Sequence, residues 1–396
     1  MPDRPRLAQA WYAVLAREWA ALRASPWDLA MISVIPVGVC ALVAWIFLAG
    51  LPRDLPVVVM DLDHSAVSRQ LDRALDASPG ISVAAHTQDW QEALSLLRSR
   101  QAYGVVILPE QLASDLQTGR SATVQWFYNG QFQSHVGGLG RDVRAVVSTF
   151  SAGIELAARE KRGAAPVVAR RQLEPLRLRV ETLFNENSNY EFFLGLALMP
   201  SIAQIFITLA AVSAIGRELR RATVPDWLAA AGGRWWLAVA GKLVWPALSF
   251  GLQALLFVVV FALGLGWTVQ GSLPMLMAGL LALVAAQLAM GVLLIGATLT
   301  LRSALSAAAF VTAPAFAFAG QGFPLQSMPA AARWWAETLP LTHYLQLQSR
   351  HWLAGAPAAY SMTDLLVLVL MTAGLGALGL VLLQRRAHQP HAWGRK

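Results

Sequence analysis

Apolar runs of about 20 residues, the length a helix needs to cross a bilayer, recur at 29–50, 192–216, 243–266, 274–300, 304–323 and 363–383. No Asp, Glu, Lys or Arg stands in the middle of any of them, and Gln204, Gln253 and Gln287 are the main polar side chains at depth. Over 53–190 the pattern changes. Residues 55–61 alternate like a strand, 65–77 have helical periodicity, 81–85 and 103–108 are strand-like, 89–98 and 110–117 are helix-like, and 123–128 is again strand-like. A long helical stretch, about 133–162, and an extended segment, 176–183, lead into the second apolar run. Alternating strand and helix units predict a small α/β layer.

Composition agrees with lipid. Hydrophobic residues make up 56% of the 396 and charged residues 14%, with a mean hydropathy of +0.49, whereas a soluble chain keeps about a quarter of its residues charged. Cys40 is the single cysteine, so no disulfide forms within one chain. Arg4, Arg6, Arg17 and Arg23 precede the first run as they would in a secretory signal. Its apolar stretch is longer than the roughly 7–15-residue core of such a signal, which predicts a retained anchor.

Charge sets the orientation. Fourteen basic residues gather before span one, between spans two and three, between spans four and five and after span six, against five acidic ones. Residues 51–191 carry 15 basic and 16 acidic residues, and the loop after span five balances Arg333 and Arg350 against Glu337 and Asp364. Basic residues stay inside, so both termini are expected in the cytoplasm and the large insert outside. The net charge of +8 is then a topology signal and not a nucleic-acid patch. The expected fold is a polytopic α-helical membrane protein with six transmembrane helices and an inserted extracytoplasmic α/β domain at 51–191. Residues 1–28 form a cytoplasmic segment, and 385–396 a cytoplasmic tail.

Three segments carry candidate chemistry. Residues 8–27 place Trp11, Leu15, Trp19 and Leu22 at helical spacing, with Pro26 turning the chain into span one, as in a helix lying in the membrane interface. The loop 217–242 packs charge into Arg217, Glu218, Arg220 and Arg221, and a short helix can start at Pro225-Asp226 and stop at Gly232-Gly233. So short a helix needs a partner surface or the membrane; the other reading is a solvated positive-inside loop. Gly320-Gln-Gly-Phe-Pro324 ends span five, and the aromatic stretch 333–344 is too polar to span and too apolar for a free loop. It predicts a re-entrant or interfacial region over 320–362.

Other chemistries find no support. The spans lack the charges that ion-coupled carriers use. Gly241-Lys242 is not a phosphate loop, because Leu243 follows where Ser or Thr is needed and Trp236 replaces the first glycine. The run 61–65 reads as a strand end with Ser65 capping the next helix in preference to a metal or phosphate site. No nucleophile, base and orienter recur at a known spacing, and His388 and His391 read as a solvated tail.

The chain resembles the permease subunit of an ABC-2 type exporter, in the subgroup with a large outer domain after the first span. The resemblance rests on Glu218, Arg220, Arg221 and Thr223, with Ala222 where the family carries glycine, and on Gly241-Lys242. It rests also on Gly322-Phe-Pro324, Met328-Pro329 and Pro340-Leu-Thr342 with Tyr344, on Phe184-Asn185 before span two, where Glu186 replaces a common proline, and on Asp61 to Ser65. It implies a bacterial inner-membrane location, a second permease subunit (the same chain or a homologue), and cytoplasmic ATPase subunits that bind ATP and Mg. No cofactor is expected on this chain. The implied ATPase-coupling interface is Arg17, Glu18, Arg217, Glu218, Arg220, Arg221, Thr223, Asp226 and Trp227, and the implied outer gate is Gly320, Gly322, Phe323, Pro324, Pro340 and Tyr344. The outer domain would bind cargo or a periplasmic adaptor. Gly374, Gly376 and Gly379 permit close helix packing, within one chain or between two. The alternatives, a membrane-anchored ligand sensor or a secondary carrier, fit less well: a sensor needs few spans and a cytoplasmic signalling domain, a carrier intramembrane charge.

Overall fold

The computed structural model describes residues 6–47, 53–118, 120–129, 133–161, 194–387 and 393–394. The extended segment expected at 176–183, Phe184-Asn185, and the tail residues His388 and His391 lie outside them. The chain divides into two units, Met1–Gly50 with Thr182–Lys396, and Leu51–Glu181.

The Leu51–Glu181 unit is built on a four-stranded sheet of order β2-β1-β3-β4, with β1 Leu55–Asp61, β2 Ile81–His86, β3 Gly104–Leu108 and β4 Gln125–Tyr128. The first three strands are parallel and β4 is antiparallel to β3. Val57, Val58, Val59 and Met60 of β1 are all buried, because a central parallel strand is covered on both faces. Val57 and Val59 pack with Leu71 of the helix Ala66–Asp76 and with Leu139 and Val143 of the long helix Gln133–Lys161. Val58 and Met60 pack on the other face with Ala93 of the helix Trp90–Arg98. Ser65 Oγ accepts the Ser68 N–H at 3.0 Å and caps the helix Ala66–Asp76. Asp61 Oδ1 accepts the Asp63 and His64 amides, and Ser68 Oγ donates to Asp61 Oδ2 at 2.7 Å. The run 61–65 therefore works as a strand-to-helix corner.

The other unit is helical. Among the described residues, five of its helices are long and apolar enough to cross a membrane: Leu196–Arg221, Trp235–Gly264, Leu273–Thr298, Leu301–Phe318 and Ala358–Arg386. A sixth is counted if the pair Pro26–Ile32 and Val34–Ile46, bent by 42°, is one span. The protein is polytopic, and several boundaries differ from expectation, most of all in the first, third and fifth spans. The first span is not one continuous helix from 29. The bend falls at Ser33, and the freed Ile32 carbonyl accepts hydrogen bonds from Ser249 Oγ and from Gln253 Nε2, the latter at 2.8 Å. Polar side chains that meet freed backbone groups make such a break tolerable in lipid. The third span begins at Trp235 rather than 243, directly after Gly232 and Gly233, which turn the chain at φ 62° and 77°. Lys242 is thereby a helical residue and not a loop residue. The fifth span, Leu301–Phe318, is interrupted at Ala313–Pro314 and stops before Gly320, at φ 85°.

Two devices lock the bundle. Gln287 Nε2 donates to Gln204 Oε1 at 2.7 Å, Thr208 Oγ1 to Gln287 Oε1 at 2.9 Å, and Gln204 Nε2 to the Thr312 carbonyl at 3.2 Å. These buried side chains join spans two, four and five with their polar atoms mutually satisfied. The second device is steric. A Cβ on Gly379 would lie 2.6 Å from the Leu293 nitrogen and 2.7 Å from the Val292 carbonyl carbon, and one on Gly296 2.8 Å from the Gly379 oxygen. Spans four and six thus touch backbone to backbone there. Gly374 meets nothing within 4 Å, and Gly376 makes only an ordinary contact with Ala289. Gly379→Ala is expected to destabilise the purified protein by about 1–3 kcal/mol through overpacking, read as a lowered thermal midpoint in detergent, with Gly374→Ala close to neutral.

Candidate functional site

Four helices converge at one end of the helical unit: α1 (Leu7–Arg23), the span Leu196–Arg221, the short helix Val224–Ala230, and the span starting at Trp235. Lys242 is at their centre, with a side chain 1% exposed. Its ammonium donates to Glu18 Oε1 at 2.5 Å and to Glu218 Oε1 at 2.9 Å, and lies 5.2 Å from the Trp227 ring centroid. Arg17 Nη2 donates to Glu218 Oε2 at 2.8 Å, and Thr223 Oγ1 donates to the same oxygen at 2.5 Å. Beside this group Arg217 pairs with Asp28. Each cation faces a carboxylate, as a group withdrawn from water requires.

Local sequence explains how the partners meet. A Cβ at Gly241 would fall 2.2 Å from Val14 Cγ1, so the glycine lets α1 lie directly on the third span, and the next residue, Lys242, reaches Glu18. The buried stripe of α1 is Ala10, Val14, Glu18 and Leu22. This differs from the stripe of Trp11, Leu15, Trp19 and Leu22 expected for a helix lying free in the interface. The demand of Lys242 for a carboxylate turns Glu18 inward. Trp19 moves to the flank, 4.7 Å from the Trp245 ring and under the Arg23 guanidinium. The span Leu196–Arg221 ends on Ala222 at φ 58°, a left-handed conformation that disfavours any side chain and explains why glycine suits the position.

The residues implied as a coupling interface therefore fall into two groups. Glu18, Arg217, Glu218 and Trp227 are buried, and Trp227 Nε1 donates to the Ala238 carbonyl at 3.2 Å, so these four hold the scaffold together. Arg17 and Thr223 are half-buried parts of the same network, while Arg220, Arg221 and Asp226 are exposed. Sequence reasoning missed Lys242 and Asp28, although Gly241-Lys242 was itself a family match.

The residues implied as an outer gate do not come together as one group. Gly322, Phe323 and Pro324 are exposed in a turn. Pro340 and Tyr344, on the helix Pro340–Gln348, are buried, and burial pushes the Tyr344 phenol upward in pKa. Gly320 and Pro324 share a polar pocket with Gln346, Ser349 and Arg350. Arg350 pairs with Asp364, and His343 Nδ1 lies 3.7 Å from the other Asp364 oxygen, while His343 Nε2 donates to the Glu337 carbonyl at 2.9 Å. The balanced charges of this loop were visible in the sequence, but their pairing was not. Burial alone would lower the His343 pKa; the Asp364 carboxylate and the Glu337 carbonyl outweigh it and raise it above the ordinary 6.5.

A bundle of at least five spanning helices, with a charge-neutral cluster at one end, defines a polytopic membrane protein. Residues 26–381 match the family described as ABC-2 family transporter protein, and the chain belongs to that family. Members are permease subunits of ABC transporters and not themselves ATPases, and membership implies partnership with an ABC ATPase. No curated protein matches this chain in sequence.

Two outcomes follow. Lys242→Met leaves Glu18 buried without its hydrogen-bonded cation, and Glu218 with Arg17 alone, and is expected to cost about 3–5 kcal/mol; adding Glu18→Gln should restore part of the loss, as read by thermal melting. For His343 the raised pKa means that its contact stabilises fully below about pH 6.5 and is lost as pH rises through the folded value. Wild type should therefore melt above His343→Gln at about pH 5, with the gap closing by about pH 9.

Proposed function

We propose that this chain is the membrane-spanning permease subunit of an ATP-driven exporter, paired with a second permease subunit and with separate cytoplasmic ATPase subunits. The observation that carries the reading is the alternation over 217–226. Arg217 and Glu218 are buried and paired, while Arg220, Arg221, Pro225 and Asp226 are exposed on the same rigid base. Such a face presents charge for steering and register and cannot yield locally when pressed. The helix Val224–Ala230 is joined through Thr223 and Glu218 to Lys242, and through Lys242 to Glu18. A displacement imposed on it by closing ATPase subunits passes to α1 and to spans two and three together.

In this reading both termini lie in the cytoplasm of a bacterial cell and the permease in its inner membrane, supported by the segregation of basic residues. The Leu51–Glu181 unit lies outside, where it binds cargo or a periplasmic adaptor. The segment from Gly320 to Tyr344 forms the outer gate. ATP and Mg belong to the partner subunits.

Copurification tests the assignment. The chain, expressed with its neighbouring genes, should bring down an ATP-binding subunit with ATPase activity, and its absence would overturn the reading. Arg220→Glu with Arg221→Glu should raise the dissociation constant of that complex about tenfold or more while leaving the thermal midpoint of the permease unchanged, since both side chains are exposed.

A further inference from the structure

A cavity of about 170 Å³ lies among the first four spans. Its floor is formed by Met199, Ile207, Phe250 and Leu283, all buried. Val37 on the segment Val34–Phe47 and Leu256 and Val260 on the third span line it as well and are 37%, 45% and 41% exposed. The cavity therefore opens sideways, between spans one and three, through an exposed apolar surface at the level of the spans. No charged side chain lines it, and its polar side groups are those of Cys40 and Gln253. Gln253 Nε2 is committed to the Ile32 carbonyl and to Ser249 Oγ. Among the described residues its Oε1 accepts no hydrogen bond.

An apolar cavity of about 150 Å³ inside a soluble protein stays dry and takes up benzene-sized ligands. Here a similar volume opens toward hydrocarbon. An uncharged wall repels ions through desolvation, and this volume is too small for both chains of a phospholipid. An amide oxygen without a donor, on a residue that lines it, favours a ligand with one donor.

We propose that this cavity binds the hydrocarbon chain of a neutral single-chain amphiphile entering sideways from the bilayer, with Gln253 Oε1 accepting a hydrogen bond from its hydroxyl or amide N–H. Its identification as a cargo site rests on the permease function proposed above, whereas the binding itself does not.

Cys40 is the only cysteine of the chain and stands in the cavity wall, so its alkylation reports occupancy directly. The full chain in lipid nanodiscs is treated with N-ethylmaleimide, and the adduct is followed by mass spectrometry. Dodecan-1-ol at about ten times its Kd should slow the reaction about tenfold, and glycerol should not. Ala203→Phe, which fills the cavity, should slow alkylation by itself and abolish the effect of the alcohol; Ala44→Phe, on the first span, should do the same if the first variant fails to fold. The proposal is overturned if dodecan-1-ol gives no protection, or if protection persists in a folded filled variant. It is equally overturned if nanodisc phospholipid alone holds the rate down until the protein is delipidated, since the occupant is then a resident lipid. Loss of ATPase recruitment would leave the Cys40 result untouched, and loss of Cys40 protection would leave ATPase recruitment untouched.

Discussion

A lysine ammonium removed from water has to be surrounded by acceptors, and much of one end of this protein answers that demand from Lys242. Two carboxylates from distant parts of the chain, Glu18 and Glu218, close on it, with the Trp227 ring beside it. To deliver Glu18, α1 lies on the third span over Gly241, and to hold Glu218 steady, Arg17 and Thr223 take its other oxygen. A buried ion pair of this kind adds little net stability compared with apolar packing, but losing one member is costly. Its value here lies in specificity. The rotation of α1 that turns Glu18 inward and the start of the third span at Trp235 are those that bring these charges together.

Elsewhere in the bundle the governing rule is that lipid offers no hydrogen bonds. The break at Ser33 is tolerated because Ser249 and Gln253 reach the freed Ile32 carbonyl. The glutamines at depth serve the same rule: Gln204 and Gln287 satisfy each other, with Thr208 and the Thr312 carbonyl completing the set. With no hydrophobic drive between helices in lipid, association depends on close approach, which Gly296 and Gly379 supply between spans four and six.

Hydropathy made the spans legible because the bilayer imposes one length on all of them, and alternating periodicity did the same for the strands of the 51–181 unit. The start of the third span was misplaced because a lysine reads as a loop residue unless its carboxylates are known, and these are 224 and 24 residues away. The buried face of α1 was misjudged for the same reason: tryptophans outweigh a glutamate in any apolar pattern until the partner of the glutamate is seen. The family motif drew attention to the charged loop, yet a motif does not tell which of its residues are buried: Glu218 and Arg221 stand three residues apart, one buried and one exposed. The His343, Asp364 and Arg350 cluster was present as a balanced charge count, and only the fold pairs its members.

That difference in burial, within four residues of chain, has a consequence for how the protein responds to its medium. Mobile ions screen exposed charges beyond about 8 Å at physiological ionic strength and hardly reach buried ones. Arg220 and Arg221 therefore stand in the range of dissolved salt, whereas Lys242 and its carboxylates stand outside it. Raising ionic strength weakens whatever the exposed arginines attract and leaves the brace beneath them intact, so a charge-steered contact at this face and the folding of the helices under it answer to separate physical controls.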